Sequence, residues 1–292
     1  MSDKEISAAD PNKRRRLEIP GTWMSYVDVG GGDPMIFLHG NPTFSYLWRN
    51  VIPHLAPYAR CIAPDLIGMG ESGKSPSSSY RFVDHATHLD AFIDGLALKE
   101  RVTLVVHDWG SALGFHWAHR HPERVKGIAY MEAIVRPLKW SEWSESAINI
   151  FKALRSPAGD DMILNKNLFI ERILPGSVIR KLDAEMEVYR RPYLEPGERR
   201  RPMLTWPREI PFDGEPADVT AIVQGYSDWL TTSAVPKLFV NADPGAILTG
   251  AQREFCRAWP NQKEVTVNGV HFIQEDSPDE IGRAIVEWYQ SL

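Results

Sequence analysis

Asp108 stands where an apparent buried strand turns sharply into a helix, in the segment RVTLVVHDWGSALGFHW. Such an elbow lifts its central residue into the space above a sheet, and the small residues Gly110 and Ser111 suit a close crossing of helix and strand. The N-terminus of the following helix supplies partial positive charge and free N–H groups, which favour an ionised carboxylate. An aspartate that only caps the helix is the alternative. Because a carboxylate can attack carbon without first losing a proton, we predict that Asp108 is a nucleophile.

His271 follows the last apparent strand, EVTVNG. A nucleophile followed much later by a histidine is the chain order of α/β-hydrolases, and histidine suits general-base work near neutral pH. We therefore predict that His271 is the base. Its acidic partner stays open at this point, because Glu132 ends the strand VKGIAYME and Asp243 follows the strand PKLFVNA. Either carboxylate could accept the second ring N–H, although Asp243 also begins a good turn sequence.

The segment FLHGNPTFSYLWRN leaves another apparent strand through the motif HGNP at residues 39–42. Backbone N–H groups in such a turn can form an oxyanion hole, and the side chain of Asn41 is a further donor. Trp109 carries an indole N–H and no acceptor. Two neutral donors in an apolar pocket suit a soft monoanion, such as a halide ion that leaves a saturated carbon. We therefore expect Asn41 and Trp109 to bind a halide.

Short apolar runs alternate with amphipathic helical patterns from about residue 34 onward. Continuous, β-branched runs are typical of parallel strands covered on both faces, and their alternation with helices predicts a doubly wound α/β sheet. The runs are PMIFLHG, RCIAPD, RVTLVVHD, VKGIAYME, PKLFVNADPG and EVTVNGVH.

The alternation of strands and helices breaks between residues 133 and 213, where the chain turns helical and irregular. We interpret this segment as a helical cap inserted over the carboxyl edge of the sheet, where ligands of such folds bind. The remaining residues, 17–132 and 214–292, are then the core domain. Residues 1–16, with their basic cluster, are expected to form a flexible leader.

Composition and local motifs argue against several classes of function. The 292 residues carry a formal net charge of −5, so the chain has no global attraction for nucleic acid or anionic membranes. No apolar run is long enough for a membrane span, and the N-terminal arginines lack the apolar stretch of an export signal, so we expect a cytoplasmic location. Cys61 and Cys256 are expected to be buried, reduced thiols.

Two further motifs are interpreted as structural. The histidine clusters HWAHRH and DHATH have no accompanying set of cysteines or carboxylates, so we expect no metal site. The glycines of DLIGMGESGK follow an extended loop, which does not suit a dinucleotide site. No heptad or long exposed apolar stripe stands out, and we expect a monomer.

Seven segments resemble the haloalkane dehalogenases, over nearly the whole chain from about residue 17. They are HGNPTFSYLWRN, APDLIGMGESGK, VVHDWGSALGFHWA, YMEAIVRP, WPREIP, NADPGAILTG and GVHFIQEDSPDEIG. The resemblance implies an α/β-hydrolase fold, a mostly parallel, doubly wound sheet with an inserted helical cap domain. It implies Asp108 as nucleophile, His271 as base, and Asn41 with Trp109 as the halide pair. The match at YMEAI resembles the branch whose acid is a glutamate, which favours Glu132 over Asp243.

Phe44 departs from the family, in which a small residue often follows NPT, and we expect it to alter a wall or entrance of the pocket. The family match also predicts an apolar lining for short to medium alkyl chains. The lining residues are Ile134, Trp140, Phe151, Phe169, Pro207, Leu248 and Phe272.

The resemblance implies hydrolysis of haloalkanes to an alcohol, a halide ion and a proton, with water as second substrate and without cofactor or metal. Three alternatives stay open. An epoxide hydrolase would share Asp108 and His271 and would use cap tyrosines, for which Tyr189 and Tyr193 are candidates. A coelenterazine luciferase-type monooxygenase resembles several of the same motifs and retains the same five-residue site. A non-catalytic hydrolase-fold receptor would bind a small hydrophobic ligand in the same cavity.

Overall fold

The computed structural model describes residues 6–292, whose strands form a single mixed sheet. The eight strands in these residues are β1 (Arg14–Ile19), β2 (Thr22–Val29), β3 (Pro34–Leu38), β4 (Arg60–Pro64), β5 (Val102–Asp108), β6 (Val125–Ala133), β7 (Lys237–Pro244) and β8 (Gln262–Gly269). They lie in the order β1-β2-β4-β3-β5-β6-β7-β8. The pairs β1–β2 and β2–β4 are antiparallel, and all the others are parallel.

Twelve α-helices lie within residues 6–292. They are α1 (Ile52–Leu55), α2 (Phe82–Gly95), α3 (Trp109–Arg120), α4 (Glu145–Arg155), α5 (Ala158–Asp160), α6 (Leu174–Gly176), α7 (Ala184–Arg190), α8 (Arg201–Glu209), α9 (Ala217–Leu230), α10 (Gly250–Arg257), α11 (Ile273–Asp276) and α12 (Pro278–Gln290). Short 3-10 turns include Ser45–Trp48 and Trp140–Glu142.

Helices cover both faces of the sheet, which explains the continuous apolar runs in the strands. Successive residues of a strand point to opposite faces. Ile36 and Leu104 pack into the cluster that includes α2, α3 and α9, whereas Met35 and Val105 pack into the cluster that includes α1 and α12. Because both faces are buried, most positions of the central strands β3, β5 and β6 are apolar. The predicted doubly wound α/β sheet is therefore confirmed, with β3 to β8 at the six predicted runs.

The prediction that the flexible leader extends to residue 16 is wrong for its last three residues. Strand β1 begins at Arg14, so Arg14–Arg16 belong to the sheet and pair with β2. Charged residues are typical of an edge strand, because one face and one edge meet solvent. Arg15 forms an ion pair with Asp28 at 3.1 Å, and Arg16 lies over the ring of Trp23. The basic cluster is thus a sheet edge, and residues 1–5 of the leader lie outside the described residues.

The segment between β6 and α9 is built from helices and turns, with α4 to α8 and two π-helical stretches, Asp161–Asn165 and Phe169–Ile173. An isolated bridge pairs Leu138 with Phe212, near the two ends of this segment. The segment therefore leaves the core and returns to it at one place. The cap boundaries at residues 133 and 213 stay a prediction.

Both cysteines lie buried and unpaired, and burial raises the pKa of each thiol to about 12. In the described part of the chain, no helix is long and apolar enough to cross a bilayer. No group of three or more His, Cys, Asp or Glu side chains among residues 6–292 has the arrangement of a metal site.

Replacement of Gly110 by alanine tests the helix–strand crossing below the elbow. A Cβ atom at Gly110 would come within 2.2 Å of the Leu38 carbonyl oxygen, and backbone at this position cannot move aside. We expect Gly110→Ala to lower the free energy of unfolding by about 2–3 kcal/mol, measured by urea denaturation.

Gly225→Ala is the matched control, because Gly225 lies inside α9 with its nearest neighbour, His119, 3.6 Å from the new Cβ. Alanine there restores helix propensity and is expected to stabilise the protein by about 0.5–1 kcal/mol. Equal effects of the two substitutions would contradict the tight crossing at Gly110.

Candidate active site

Asp108 adopts a backbone conformation that few non-glycine residues tolerate, with φ 51° and ψ −129° at the junction of β5 and α3. Such strained residues cluster at functional sites. Two glycines make room for this elbow: a Cβ at Gly40 would lie 1.9 Å from Asp108 Oδ1, and one at Gly110 would meet the Leu38 carbonyl. The small residues of the sequence motif are therefore explained by close approach.

The two carboxylate oxygens of Asp108 have different surroundings. Oδ1 accepts a hydrogen bond of 2.7 Å from the backbone N–H of Asn41. Oδ2 lies 3.6 Å from Nε2 of His271, which is ion-pair distance but too long for a hydrogen bond. Asp108 is only 7% exposed. One oxygen is thus fixed by the backbone, and the other faces the imidazole.

His271 joins Asp108 to a second, fully buried carboxylate. Its Nδ1 lies 3.1 Å from Oε2 of Glu132. That oxygen also accepts hydrogen bonds from the backbone N–H groups of Ala246 and Ile247, at 3.0 and 2.7 Å. Asp243 is solvent-exposed at the end of β7. Of the two candidate partners, the structure therefore brings Glu132 to His271.

The charges of this trio support one another. Burial disfavours the imidazolium, but contact with Asp108 and the hydrogen bond to Glu132 outweigh it and raise the pKa of His271 to about 9. Burial likewise opposes ionisation of Asp108, yet the neighbouring His271 and the backbone N–H of Trp109 leave its pKa below the usual value. The resting site therefore holds an aspartate and an imidazolium as a buried pair.

His107, which sequence reasoning overlooked, holds the backbone of His271. Its Nε2–H donates to the His271 carbonyl oxygen at 2.8 Å, and the two rings lie 4.7 Å apart. Burial lowers the pKa of His107 to about 3, so the ring is neutral. The available signal was its place directly before the nucleophile, at the carboxyl end of β5, where side chains of neighbouring loops meet.

The HGNP loop is held by a buried imidazole and a buried carboxylate. His39 Nδ1–H donates to the Gly40 carbonyl, and His39 Nε2 accepts from the backbone N–H of Leu66, both at 2.9 Å. Asp65 accepts from the backbone N–H groups of Ser45 and Glu71 at 2.8 and 2.9 Å. These contacts fix the loop that presents the Asn41 N–H to Asp108.

The side chains of Asn41 and Trp109 both contact helix α8. Asn41 Nδ2 donates to the Met203 carbonyl oxygen at 3.2 Å, and its Oδ1 has no hydrogen-bond partner within residues 6–292. The indole of Trp109 stacks on Trp206, with centroids 4.5 Å apart. Trp206 stacks in turn on His85 at 4.1 Å. Both predicted halide donors therefore take their orientation from the cap, through residues to which the sequence reasoning gave no role.

Several predicted pocket residues contact His271, Glu132 or residues beside them. The ring of Phe272 packs edge-on to His271 at 4.6 Å. The backbone N–H of Ile134 donates to Ser111 Oγ at 2.9 Å, and the Leu248 N–H donates to Glu132 at 3.3 Å. Phe44 packs against the rings of Tyr46 and Tyr189. Phe169 and Pro207 are buried in the cap.

Trp140 and Phe151 lie in an aromatic cluster of the cap. Trp140 stacks on Phe212 with centroids 3.7 Å apart, and Phe151 packs edge-on to Trp143 at 4.9 Å. Trp143 also packs edge-on to Phe212, which completes the cluster. Their contacts with one another explain why the sequence is rich in aromatic residues here, and their part in a pocket stays a prediction.

Comparison with known proteins agrees with the fold. Residues 33–156 match the alpha/beta hydrolase fold family. The chain is 56% identical to a haloalkane dehalogenase of Sphingobium indicum, with 98% of each chain covered. It is 50% identical to a haloalkane dehalogenase of Mycolicibacterium smegmatis, over 94% of this chain and 90% of that one.

A solved structure is similar in fold over nearly the full length of the chain. The crystal structure of haloalkane dehalogenase DbeA from Bradyrhizobium elkani superposes with a TM-score of 0.91 at 43% identity, covering 96% of this chain and 98% of that chain. Identity at this level over nearly the full length accompanies the elbow, the buried trio and the two side-chain donors. The chain therefore belongs to the haloalkane dehalogenases, within the α/β-hydrolase fold.

Proposed function

We propose that this protein hydrolyses haloalkanes to an alcohol, a halide ion and a proton, with water as the second substrate. The observation that carries the proposal is the buried Asp108 carboxylate, which has one oxygen fixed by a backbone N–H and the other turned to the His271–Glu132 pair. The names of the relatives at 48–56% identity point to the same chemistry.

In the first step, Asp108 displaces the halide. Because Oδ1 is held by the Asn41 N–H, Oδ2 is the oxygen free to attack the substrate carbon. A bond forms between Oδ2 and carbon while the carbon–halogen bond breaks, and its electron pair leaves with the halide. The second amide hydrogen of Asn41 Nδ2 and the indole N–H of Trp109 stabilise that anion. The product of this step is an alkyl ester of Asp108.

Formation of the ester changes the protonation of His271. The negative charge of Asp108 is one of the two interactions that raise the pKa of His271 to about 9. Esterification removes that charge, whereas burial continues to disfavour the imidazolium. The pKa of His271 therefore falls when the ester forms, and the imidazole becomes available as a base. His271 therefore becomes a base only after the first step.

In the second step, neutral His271 takes a proton from water, whose oxygen attacks the ester carbonyl carbon of Asp108. Oδ1 becomes the oxyanion and stays at the backbone N–H groups of Asn41 and Trp109. Glu132 accepts from Nδ1 and stabilises the imidazolium. Collapse breaks the bond between the carbonyl carbon and the alkyl-bearing oxygen, which takes the proton of the new carboxyl group and leaves as the alcohol, so Asp108 is again a carboxylate. The one proton released overall is that which His271 loses to solvent when the ester forms.

One of the two candidate cap tyrosines, Tyr189, is poorly placed for epoxide hydrolysis. Activation of an epoxide oxygen requires a tyrosine O–H that points at the substrate. The hydroxyl of Tyr189 donates instead to Glu275, in a fully buried contact. Burial raises the pKa of Tyr189 well above its usual value, so this hydroxyl stays protonated and engaged.

Substitution of the nucleophile and of the base tests the two steps. We expect Asp108→Ala to lower bromide release from a panel of bromoalkanes by about four orders of magnitude or more. His271→Phe should release bromide once per protein and keep the alkyl group, seen as an added mass on the intact chain. An alkyl adduct on the Asp108→Ala protein would contradict the assignment of Asp108. Light from coelenterazine without bromide release by the unaltered protein would favour the luciferase alternative.

Glu132→Gln and Asp243→Asn form a matched pair for the third member of the trio. Loss of the Glu132 charge leaves the His271 imidazolium poorly supported, and we expect steady-state bromide release to fall about a thousandfold. Asp243→Asn should stay within about twofold of the unaltered protein, because the side chain is exposed at the end of β7. The reverse ranking in a halide-release assay would assign the acid to Asp243.

Histidine titration by NMR tests the charge change at His271. We expect one imidazole with a pKa of about 9 in the unaltered protein and a lower value for it in Asp108→Asn, which removes the negative charge as the ester does. Burial lowers the pKa values of His107 and His116 to about 3 and 4, so these signals are separate. The same high pKa in Asp108→Asn would refute the proposed switch.

A further inference from the structure

A cluster of buried charges lies directly behind the segment that carries His271. We define the Glu275 cluster as Glu275, Arg49, Arg180, Tyr189 and Glu185. Glu275 is fully buried and accepts hydrogen bonds from Arg49 at 2.6 and 2.7 Å and from Arg180 at 2.6 Å. Tyr189 donates to the same carboxylate. Both oxygens of Glu275 are therefore engaged by charged or strongly polar donors.

The cluster balances two guanidinium groups with two carboxylates. Arg180 lies 2.8 Å from Glu185, and Arg49 lies 3.8 Å from it. Arg49 Nε also donates to the Ser7 carbonyl at 2.7 Å. Buried ion pairs are often no more stabilising than well-packed apolar residues of the same volume, because of the cost of desolvation. The contribution of such a cluster is then to fix the positions of the segments that it joins, and not only to stabilise the fold.

Members of the cluster come from three parts of the chain that meet at the site. Arg49 follows the Ser45–Trp48 turn, which continues from the HGNP loop. Glu275 lies in α11, four residues after His271. Arg180 and Tyr189 belong to the cap. Arg180 Nε also donates to the backbone carbonyl of Glu275, so Arg180 holds both the side chain and the main chain of α11.

The cap segment 177–180 also binds the backbone on both sides of this contact. The Ser177 carbonyl oxygen accepts from the N–H groups of His271 and Phe272, at 3.1 and 3.2 Å. The Asp276 carboxylate accepts from the N–H groups of residues 179 and 180, each at 3.0 Å. Hydrogen bonds from the cap therefore hold the segment 271–276, which begins with His271, at both of its ends.

We propose that the Glu275 cluster positions His271 for the hydrolysis of the alkyl-enzyme ester. This inference rests on the proposed function. Displacement of halide requires Asp108, Asn41 and Trp109, none of which the cluster contacts. Attack of water requires the placement of His271 against both carboxylates. A change in the cluster therefore slows the second step and leaves the first largely intact.

Tyr189→Phe is the most conservative test. It removes one hydroxyl donor to Glu275 and retains the ring that packs against Phe44 and Tyr46. With bromobutane as substrate, rapid-quench measurement gives the burst of bromide from the first turnover and the steady rate that follows. Misplacement of a catalytic group by about 1 Å can lower the reaction rate about a hundredfold. For the smaller displacement of His271 caused by loss of one hydroxyl, we expect the steady rate to fall about tenfold. The burst rate should stay within about twofold, and butyl-enzyme should accumulate on the intact chain.

Tyr130→Phe is the matched control, because it removes an equally buried hydroxyl and its 2.7 Å hydrogen bond to Gln262. Its ratio of burst rate to steady rate should equal that of the unaltered protein, even where its melting temperature falls. Arg180→Lys, which keeps the charge and loses the bond to the Glu275 backbone, should repeat the result of Tyr189→Phe. Arg180→Lys also serves as the test variant if the Tyr189→Phe protein does not fold.

Two results would overturn the positioning role. The first is an unchanged steady rate in both cluster variants. The second is an equal fall in burst and steady rates, because a loss of folded protein or of cap packing lowers both steps together. Failure of the proposed function is distinguishable from either, since the unaltered protein would then release no bromide at all.

Discussion

A buried aspartate facing a buried imidazole is the interaction on which the rest of this structure depends. Neither Asp108 nor His271 would carry a charge at low cost if it were buried alone, and each lowers the cost for the other. The pair also links the protonation state of His271 to the progress of the proposed reaction. While Asp108 is charged, His271 keeps its proton, and when the carboxylate becomes an ester the imidazole is free to act on water.

This pair can form only because the surrounding backbone is held in strained and crowded conformations. Asp108 and Glu132 both have positive φ, at 51° and 41°, although neither is glycine. The parallel strands β5 and β6 present these two residues side by side at the carboxyl edge of the sheet. Hydrogen bonds from the loop after β7 satisfy Glu132, so the acid is fully buried and still has acceptor capacity for His271.

The cap takes part in the geometry of the site. Helix α8 contacts both side-chain donors, through the Met203 carbonyl and the ring of Trp206. The segment 177–180 holds the backbone of His271 from the other side. A movement of the cap would therefore displace Asn41, Trp109 and His271 together, whereas the elbow at Asp108 belongs to the core sheet.

The sequence by itself determined strands β3 to β8 and predicted Asp108 and His271 as nucleophile and base, with Asn41 and Trp109 as halide donors, because each depends on local pattern: apolar runs, an elbow motif and fixed neighbours. Strand β1 was missed because Arg14–Arg16 occupy a sheet edge, where charge replaces the apolar signal. Only the tertiary structure distinguishes Glu132 from Asp243: both follow strands, but Glu132 lies 3.1 Å from His271 and Asp243 is exposed to solvent. The same holds for His107, Met203, Ser177 and Glu275. Their roles arise from contacts between segments far apart in the chain, which no local pattern records.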